Sequence, residues 1–224
     1  MPMTAPRQPP SSDDGDLPRP LFSRYYASVS PRMEAEGMAA LRRELLADVR
    51  GEVVEVGCGN GLNFAHYPRT VTGVVAVEPE PRLRSLAENA ATSSPVRIRV
   101  VPGTAGRLPL ADNSVDSAVL CLVLCSFEDR PRALAELARV LRPDGALYFL
   151  EHSLATTRGL RLVQRIADAT IWPLLAGGCH TTTDPLGLLE SAGFRVAAVR
   201  RLRFPDIWLT MPATPHVLGV ARPA

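Results

Sequence analysis

Three glycines alternate where a short apolar run ends, in the stretch Glu52-Val-Val-Glu-Val-Gly-Cys-Gly-Asn-Gly61. Glycine lets a backbone turn sharply and approach a ligand more closely than a Cβ atom allows. The G-x-G-x-G spacing differs from the G-x-G-x-x-G that seats a pyrophosphate, and no Lys-Ser or Lys-Thr pair follows as in a P-loop. The turn predicts a nucleotide-type cradle for a ligand without phosphates, with a helix starting near Leu62 or Asn63. A tight turn that binds nothing is the alternative.

A second candidate residue, Glu78, ends the apolar run that begins at Val74. A doubly wound fold places at this point the acid that hydrogen-bonds ribose hydroxyls. A glycine cradle, followed by an acid that can bind ribose hydroxyls but without a phosphate-binding motif, indicates S-adenosylmethionine (SAM). At this point the chain resembles the class I SAM-dependent methyltransferases, whose first motif VVEVGCGNG matches. The resemblance implies that cofactor contacts come from the motif and from the end of the second strand: Glu55, Gly57, Cys58, Gly59, Asn60, Gly61, Glu78 and Pro79.

The loop Gly103-Thr-Ala-Gly106 also bears on the cofactor. In the methyltransferases that the chain resembles, this loop reads Gly-Asp-Ala, and the aspartate bonds the adenine amino group. Thr104 stands in place of that aspartate, so the resemblance implies an adenine contact through the backbone of Ala105, with Thr104 beside it. Leu122, after the fourth predicted strand, is expected near the transferable methyl group because carboxyl strand ends face the ligand crevice.

The resemblance narrows further along the chain. The pieces CLVLCSF, ARVLRPDGALYFLEH, WPLLAGGC and TTTDPLGLLESAGF look like the methyltransferase-like seven group of thiol S-methyltransferases and their bacterial relatives. This implies methyl transfer to a small apolar acceptor, with a thiol sulfur as the leading choice. Oxygen, nitrogen or carbon of a secondary metabolite, and SAM binding without methyl transfer, are the alternatives. The animal proteins carry a hydrophobic N-terminal anchor, which is not carried over to this Pro-rich chain.

The acceptor site is expected between the ends of the fourth and fifth predicted strands, the second of which ends in Glu151-His152. His152 is the candidate catalytic group, because a nearby cation favours a thiolate, and Glu151 is the candidate that orients it. Each could instead be structural. The predicted substrate wall consists of Cys125, Trp172, Cys179 and His180. A covalent or redox role for the cysteines is less favoured, because buried free cysteine commonly behaves as a small apolar residue.

The strand and helix patterns that would position these residues alternate along the chain, which predicts an α/β fold. We expect a Rossmann-like, seven-stranded methyltransferase sheet over residues 51–224, in the order 3-2-1-4-5-7-6, with strand 7 antiparallel and helices on both faces. Residues 21–50 are predicted to be helical, with a short helix over Leu21–Tyr26 near the cofactor mouth. Residues 1–20 are predicted to be a disordered Pro-rich tail. Residues 153–183 form a helical insertion whose apolar stripe fits a lid or core packing equally well.

The composition limits which partners, metal sites and membrane segments can be expected. The net charge of +2, from 25 basic and 23 acidic residues among 224, gives no reason to expect a nucleic-acid partner. The four cysteines form no C-x-x-C pair, so we expect reduced thiols in a cytoplasmic protein, without a disulfide framework, a zinc site or any other metal. No run of eighteen apolar residues occurs, which argues against a membrane span. The partner is therefore a small-molecule acceptor; the sequence does not determine the oligomeric state.

Overall fold

A seven-stranded sheet forms the centre of the molecule in the computed structural model, which describes residues 16–205 and 211–224. Its order is β3-β2-β1-β4-β5-β7-β6, and the pairs β5–β7 and β6–β7 are antiparallel while the others are parallel. The predicted fold and strand order are confirmed. The strands span the following ranges: β1 Gly51–Val56, β2 Val71–Val77, β3 Ile98–Val101, β4 Val115–Cys121, β5 Leu141–His152, β6 Phe194–Arg203 and β7 Pro215–Pro223.

Helices cover both faces of this sheet. Their ranges are α1 Pro20–Met33, α2 Ala39–Leu46, α3 Pro81–Ala91, α4 Arg130–Val140, α5 Arg158–Asp168, α6 Trp172–Leu175 and α7 Pro185–Ser191. One apolar cluster contains Leu134 and Leu137 of α4 on one face, and a second contains Leu45 and Leu46 of α2 on the other. The central strands are apolar because both of their faces are covered, as expected for parallel strands.

The N-terminal segment is helical from Pro20 to Leu46, and part of the predicted tail packs against the domain. Residues 1–15 lie outside the described residues. From Asp16 on the chain is packed: the Asp16 carboxylate pairs with Arg84 at 2.8 Å, and the Leu17 N–H donates to the Pro79 carbonyl at 2.9 Å. Between α1 and α2 a π-helical segment, Glu34–Met38, contains Gly37 at a φ of 124°.

The helix predicted from Leu62 or Asn63 does not form. Only a 3₁₀ turn, Phe64–His66, follows the glycines, and Tyr67 is already extended, at φ −63° and ψ 129°. Pro68 explains this, because the ring of a proline disfavours the helical conformation in the residue before it. The glycine turn therefore lacks the helix N-terminus that a phosphate-binding loop would use.

The apolar stripe of the insertion is mostly exposed, so core packing does not account for it. Helix α5 turns polar side chains inward: Gln164 is fully buried and bonds three backbone groups, while Asp168 accepts from Thr181 and Thr182. The outward stripe leaves large apolar side chains at 45% to 80% exposure, namely Val163, Ile166, Ile171, Leu174 and Leu175. Within residues 16–205 and 211–224, no helix is long and apolar enough to cross a membrane.

Candidate active site

A cavity of about 430 Å³ opens at the carboxyl ends of β1, β2 and β4. This is the crevice where doubly wound sheets bind ligands, and its size is ordinary for a small-molecule site. Seven of the predicted cofactor residues line it. They are Gly57, Gly59, Glu78, Pro79, Thr104, Ala105 and Leu122.

The glycine turn needs glycine at the two positions that face the cavity. Gly57 and Gly59 have φ values of 69° and 58°, in the left-handed region that side chains rarely adopt. A Cβ atom on Gly57 would lie 2.3 Å from the Cγ2 of Val123, and one on Gly59 would lie 3.4 Å from the Tyr26 ring. Backbone, rather than side chain, therefore forms this wall of the cavity.

Glu78 is held beside that turn by two backbone donors. Its Oε2 accepts from the Gly59 N–H at 2.8 Å and its Oε1 accepts from the Glu80 N–H at 3.0 Å. Burial raises the pKa of the carboxyl, and these two bonds oppose the rise. Each carboxylate oxygen has a second lone pair, so Glu78 can still accept from hydroxyl groups in the cavity. The turn and this acid fit the ribose-containing part of SAM.

Glu55 lies beneath the turn and does not line the cavity. It accepts from the Asn63 amide at 2.9 Å and from the Tyr67 hydroxyl at 2.6 Å, while Asn63 Oδ1 accepts from Arg42. Burial raises the pKa of Glu55 to about 7, although both hydrogen bonds lower it. Its position indicates a support for the glycine turn rather than a ligand contact.

Three other motif residues also lie outside the cavity lining: Cys58, Asn60 and Gly61. Cys58 is buried, and its thiol faces the Gly59 carbonyl at 3.9 Å. The Asn60 amide donates to Ser30 Oγ at 3.0 Å and so ties the turn to α1. A Cβ atom on Gly61 would lie 2.8 Å from the Phe64 ring, so this glycine allows tight packing within the loop.

Helix α1 and the insertion form the opposite side of the cavity. The lining residues on this side are Arg19, Phe22, Tyr26 and Gly177, and the Arg19 guanidinium donates to the Gly177 carbonyl. Gly177 has a φ of 62°, and a Cβ atom there would lie 2.8 Å from the Phe22 ring. The helix expected near the cofactor mouth over Leu21–Tyr26 is part of the longer helix α1, Pro20–Met33. Arg19 and Gly177 were missed, because no local spacing signals their approach.

The turn after β4 supplies the wall next to Leu122. Leu122 has a φ of 59°, which is a strained conformation for a leucine, and its N–H donates to the Leu150 carbonyl at 2.8 Å. The fully buried Glu151 accepts from the backbone N–H groups of Val123 and Leu124 at 3.1 Å. Burial raises the pKa of Glu151 to about 8. Glu151 therefore holds the wall in shape and does not itself line the cavity.

His152, Cys125 and Cys179 come together directly behind this wall. His152 Nδ1 lies 3.8 Å from Cys125 Sγ and 3.4 Å from Cys179 Sγ. The neighbouring Cys179 thiol raises the pKa of Cys125, and the Cys125 thiol in turn lowers the pKa of Cys179. Burial lowers the pKa of His152, but Cys125 and Glu151 outweigh it and the net pKa is raised. None of the three residues lines the cavity, so a direct catalytic role for His152 stays a prediction.

The other two predicted wall residues lie farther out. Trp172 does not line the cavity; among the described residues its buried indole N–H has no well-aligned hydrogen-bond partner, yet it helps to lower the pKa of Cys179, after the larger effect of Cys125. His180 is exposed and faces Asp168 at 3.9 Å. Its backbone N–H donates to the Cys125 carbonyl at 3.2 Å, so the segment, rather than the imidazole, contacts the site.

Comparison with known proteins agrees with this geometry. The methyltransferase domain family matches residues 54–149. The thiol S-methyltransferase TMT1A of Homo sapiens is 34% identical over 83% of this chain and 80% of its own length. The chain belongs to the SAM-dependent methyltransferase family. The thiol S-methyltransferase TMT1B of Homo sapiens is 32% identical over 91% of this chain and 88% of its own length.

A solved structure of a SAM-dependent methyltransferase, a possible histamine N-methyltransferase from Thermotoga maritima, shares the fold. Its TM-score is 0.65 at 21% identity, and the match covers 91% of this chain and 99% of that one. The protein is thus a SAM-dependent methyltransferase with SAM as its cofactor, and the cavity at the glycine turn is the site that fits it.

Proposed function

We propose that this methyltransferase transfers a methyl group from SAM to the sulfur of a small apolar thiol. The observation that carries the proposal is the identity of 32% to 34% with two thiol S-methyltransferases over at least 80% of their length. The lining of the cavity supports it, because apolar and aromatic side chains line it together with the glycine turn and Glu78.

At the cofactor end, the backbone of Gly57 and Gly59 and the carboxylate of Glu78 would hold the SAM ribose. The loop backbone at Ala105, beside Thr104, would hold the adenine. SAM supplies a sulfonium methyl group that needs only an in-line nucleophile, so most of the catalysis that the protein adds is positioning, which can supply several kcal/mol, about 7–11 at most.

The lining is also suited to a hydrophobic acceptor. Apolar and aromatic side chains line the cavity at Phe22, Tyr26, Leu122, Val123 and Phe127. Apolar walls exclude water and strengthen the electrostatic interactions inside the site. An acceptor with an alkyl or aryl body would bury apolar surface against these side chains.

The acceptor must also lose its proton. A thiol has a pKa of about 8.5, so a minority is already thiolate at neutral pH, and a nearby cation raises that share. Three arginines line the cavity, namely Arg19, Arg107 and Arg132. We assign the thiolate-stabilising charge to these arginines, while Glu151 and His152 act on the wall from behind.

Matched acceptors provide the test. The full chain would be incubated with SAM and an alkanethiol, or with the alcohol or the primary amine of the same chain length, and formation of S-adenosylhomocysteine would be measured. We expect turnover with the thiol and little with its oxygen and nitrogen analogues. Preferred methylation of the alcohol or amine, or SAM binding without any turnover across thiols, phenols and amines, would overturn the proposal.

The thiol proposal also bears on the compartment. All four cysteines are free, and Cys58, Cys125 and Cys179 are buried. Free thiols persist in reducing compartments. We therefore place the enzyme in the cytoplasm, which can be tested by fractionating cells that express the full chain.

A further inference from the structure

Three side chains behind the cavity wall have the composition of a transition-metal site. Their ligand atoms, the two sulfurs of Cys125 and Cys179 and a ring nitrogen of His152, all lie within 4.8 Å of one another. Each comes from a different element: the turn after β4, the end of β5 and the insertion. Borderline-soft sulfur and imidazole ligands select zinc over magnesium or calcium, which prefer oxygen.

The distances between the ligand atoms match the dimensions of a metal site. A tetrahedral zinc ion binds sulfur at about 2.3 Å and nitrogen at about 2.0–2.1 Å, so its sulfur–nitrogen edges are about 3.6 Å long. The two edges in this cluster, 3.4 Å to Cys179 and 3.8 Å to Cys125, lie on either side of that value. On these two edges a zinc ion fits with shifts of only a few tenths of an ångström, and the edge between the two sulfurs is at most 4.8 Å long.

We propose that Cys125, His152 and Cys179 bind one zinc ion. This proposal goes beyond methyl transfer and does not depend on the identity of the acceptor. Three protein ligands leave the fourth tetrahedral position for water or another small ligand. The surroundings favour such an ion, because the buried indole N–H of Trp172 lacks a well-aligned partner among the described residues and can donate to a metal-bound thiolate.

The contacts around the His152 ring are also well defined. The ring of His216, which is 3% exposed, packs edge-on against His152 with centroids 4.7 Å apart, and its Nδ1 bonds the Thr214 carbonyl at 2.8 Å. These contacts fix the orientation of the His152 ring, as outer contacts of a metal-ligating histidine do. Because Cys179 follows Gly177, and Cys125 adjoins the lining residue Ser126, the ion would fasten two walls of the cavity together.

The test uses zinc and cobalt on the full chain. We expect purified protein to contain about one zinc per chain by elemental analysis, as three protein ligands and one open position imply. After chelation and anaerobic addition of Co²⁺, it should show the thiolate-to-cobalt charge-transfer band and the intense d–d bands of tetrahedral cobalt. His152→Gln should weaken Co²⁺ binding by at least about tenfold, and Cys125→Ser and Cys179→Ser should each remove about half of the charge-transfer intensity.

Matched controls test specificity. Cys58→Ser changes a buried thiol elsewhere, and His180→Gln changes the neighbouring exposed imidazole; both should keep the cobalt spectrum unchanged. Circular dichroism would show that each variant is folded. A folded wild-type protein without the charge-transfer band in excess Co²⁺, or a band that keeps its full intensity in both cysteine variants, would overturn the proposal. A Cys125–Cys179 disulfide on mild oxidation, with no metal uptake by the reduced protein, would also overturn it and would indicate a redox pair.

Discussion

The glycine turn lines the cavity, and the cluster of Cys125, His152 and Cys179 lies behind the wall next to Leu122. The two groups differ in how far apart their residues are in the chain. The turn occupies five consecutive residues from Gly57, and its partner Glu78 is bonded to Gly59 across 19 positions. The cluster joins residues that are 27 positions apart, twice over. A site made by backbone conformation can therefore be predicted from a short stretch of sequence. A site made by converging side chains depends on sheet order and on the path of an insertion.

The largest expected effect is on the glycine turn. Gly57→Val should weaken SAM binding by more than about a hundredfold, or roughly 2.7 kcal/mol, because a side chain there is strained by the positive φ and would clash with Val123. Calorimetric titration with SAM is the measurement. In the matched control Gly159→Val, where a Cβ atom meets nothing within 4 Å, affinity should change by less than about 0.5 kcal/mol. Equal affinities in folded variants would remove the turn from the site.

The second largest effect on SAM binding is expected at Glu78, whose carboxylate bonds the Gly59 N–H. Glu78→Ala should cost about 1.5–3 kcal/mol of SAM affinity, because hydrogen bonds to a charged acceptor are lost. Glu88→Ala, which removes an exposed carboxylate from the following helix, is the control. The two variants would be compared by the same titration. A loss that is equally small in both would mean that Glu78 supports only the backbone of Gly59 and Glu80.

A pH-dependent effect on stability is expected at Glu55, which lies beneath the glycine turn. The folded pKa of Glu55, about 7, is above its usual value of 4.5, so the folded state holds a proton that the unfolded state releases, and stability falls as the pH rises between these values. Glu55→Gln removes this loss. Relative to wild type, the variant should gain about 1.5 kcal/mol between pH 5.5 and pH 7, measured by urea unfolding. Parallel stability curves would show that Glu55 is ionised throughout.

The smallest effect is expected on stability, at the exposed residue Leu174 of the insertion. Leu174 is 80% exposed, so Leu174→Ala should change the free energy of unfolding by less than about 0.5 kcal/mol. Leu150→Ala, in the fully buried strand β5, should cost about 2–5 kcal/mol. Urea unfolding of both variants provides the measurement. A large cost at Leu174 would mean that the apolar stripe is covered in solution.

Local patterns in the sequence were sufficient for the sheet and for most of the cofactor wall. Apolar β-branched runs predicted the central strands, and the glycine spacing with Glu78 predicted the position of the cavity, because both depend on neighbours within a few residues or on one strand–helix–strand repeat. The helix after the glycines was predicted wrongly, although Pro68 in the sequence signals its absence. The approach of Arg19 to Gly177 had no such signal, since these residues are far apart in the chain.

The sequence by itself determined which residues form strands, where the glycines permit close approach, and that Glu78 stands beside them. Only the tertiary structure decided that Glu55 faces the support network rather than the ligand, and that α5 turns Gln164 and Asp168 inward with its apolar stripe outward. It also decided that Cys125, His152 and Cys179, which were expected together at the acceptor site, meet behind the cavity wall and do not line the cavity. The physical reason is that backbone conformation is set by adjacent residues, whereas the partner of a buried polar side chain is chosen by whichever element packs against it.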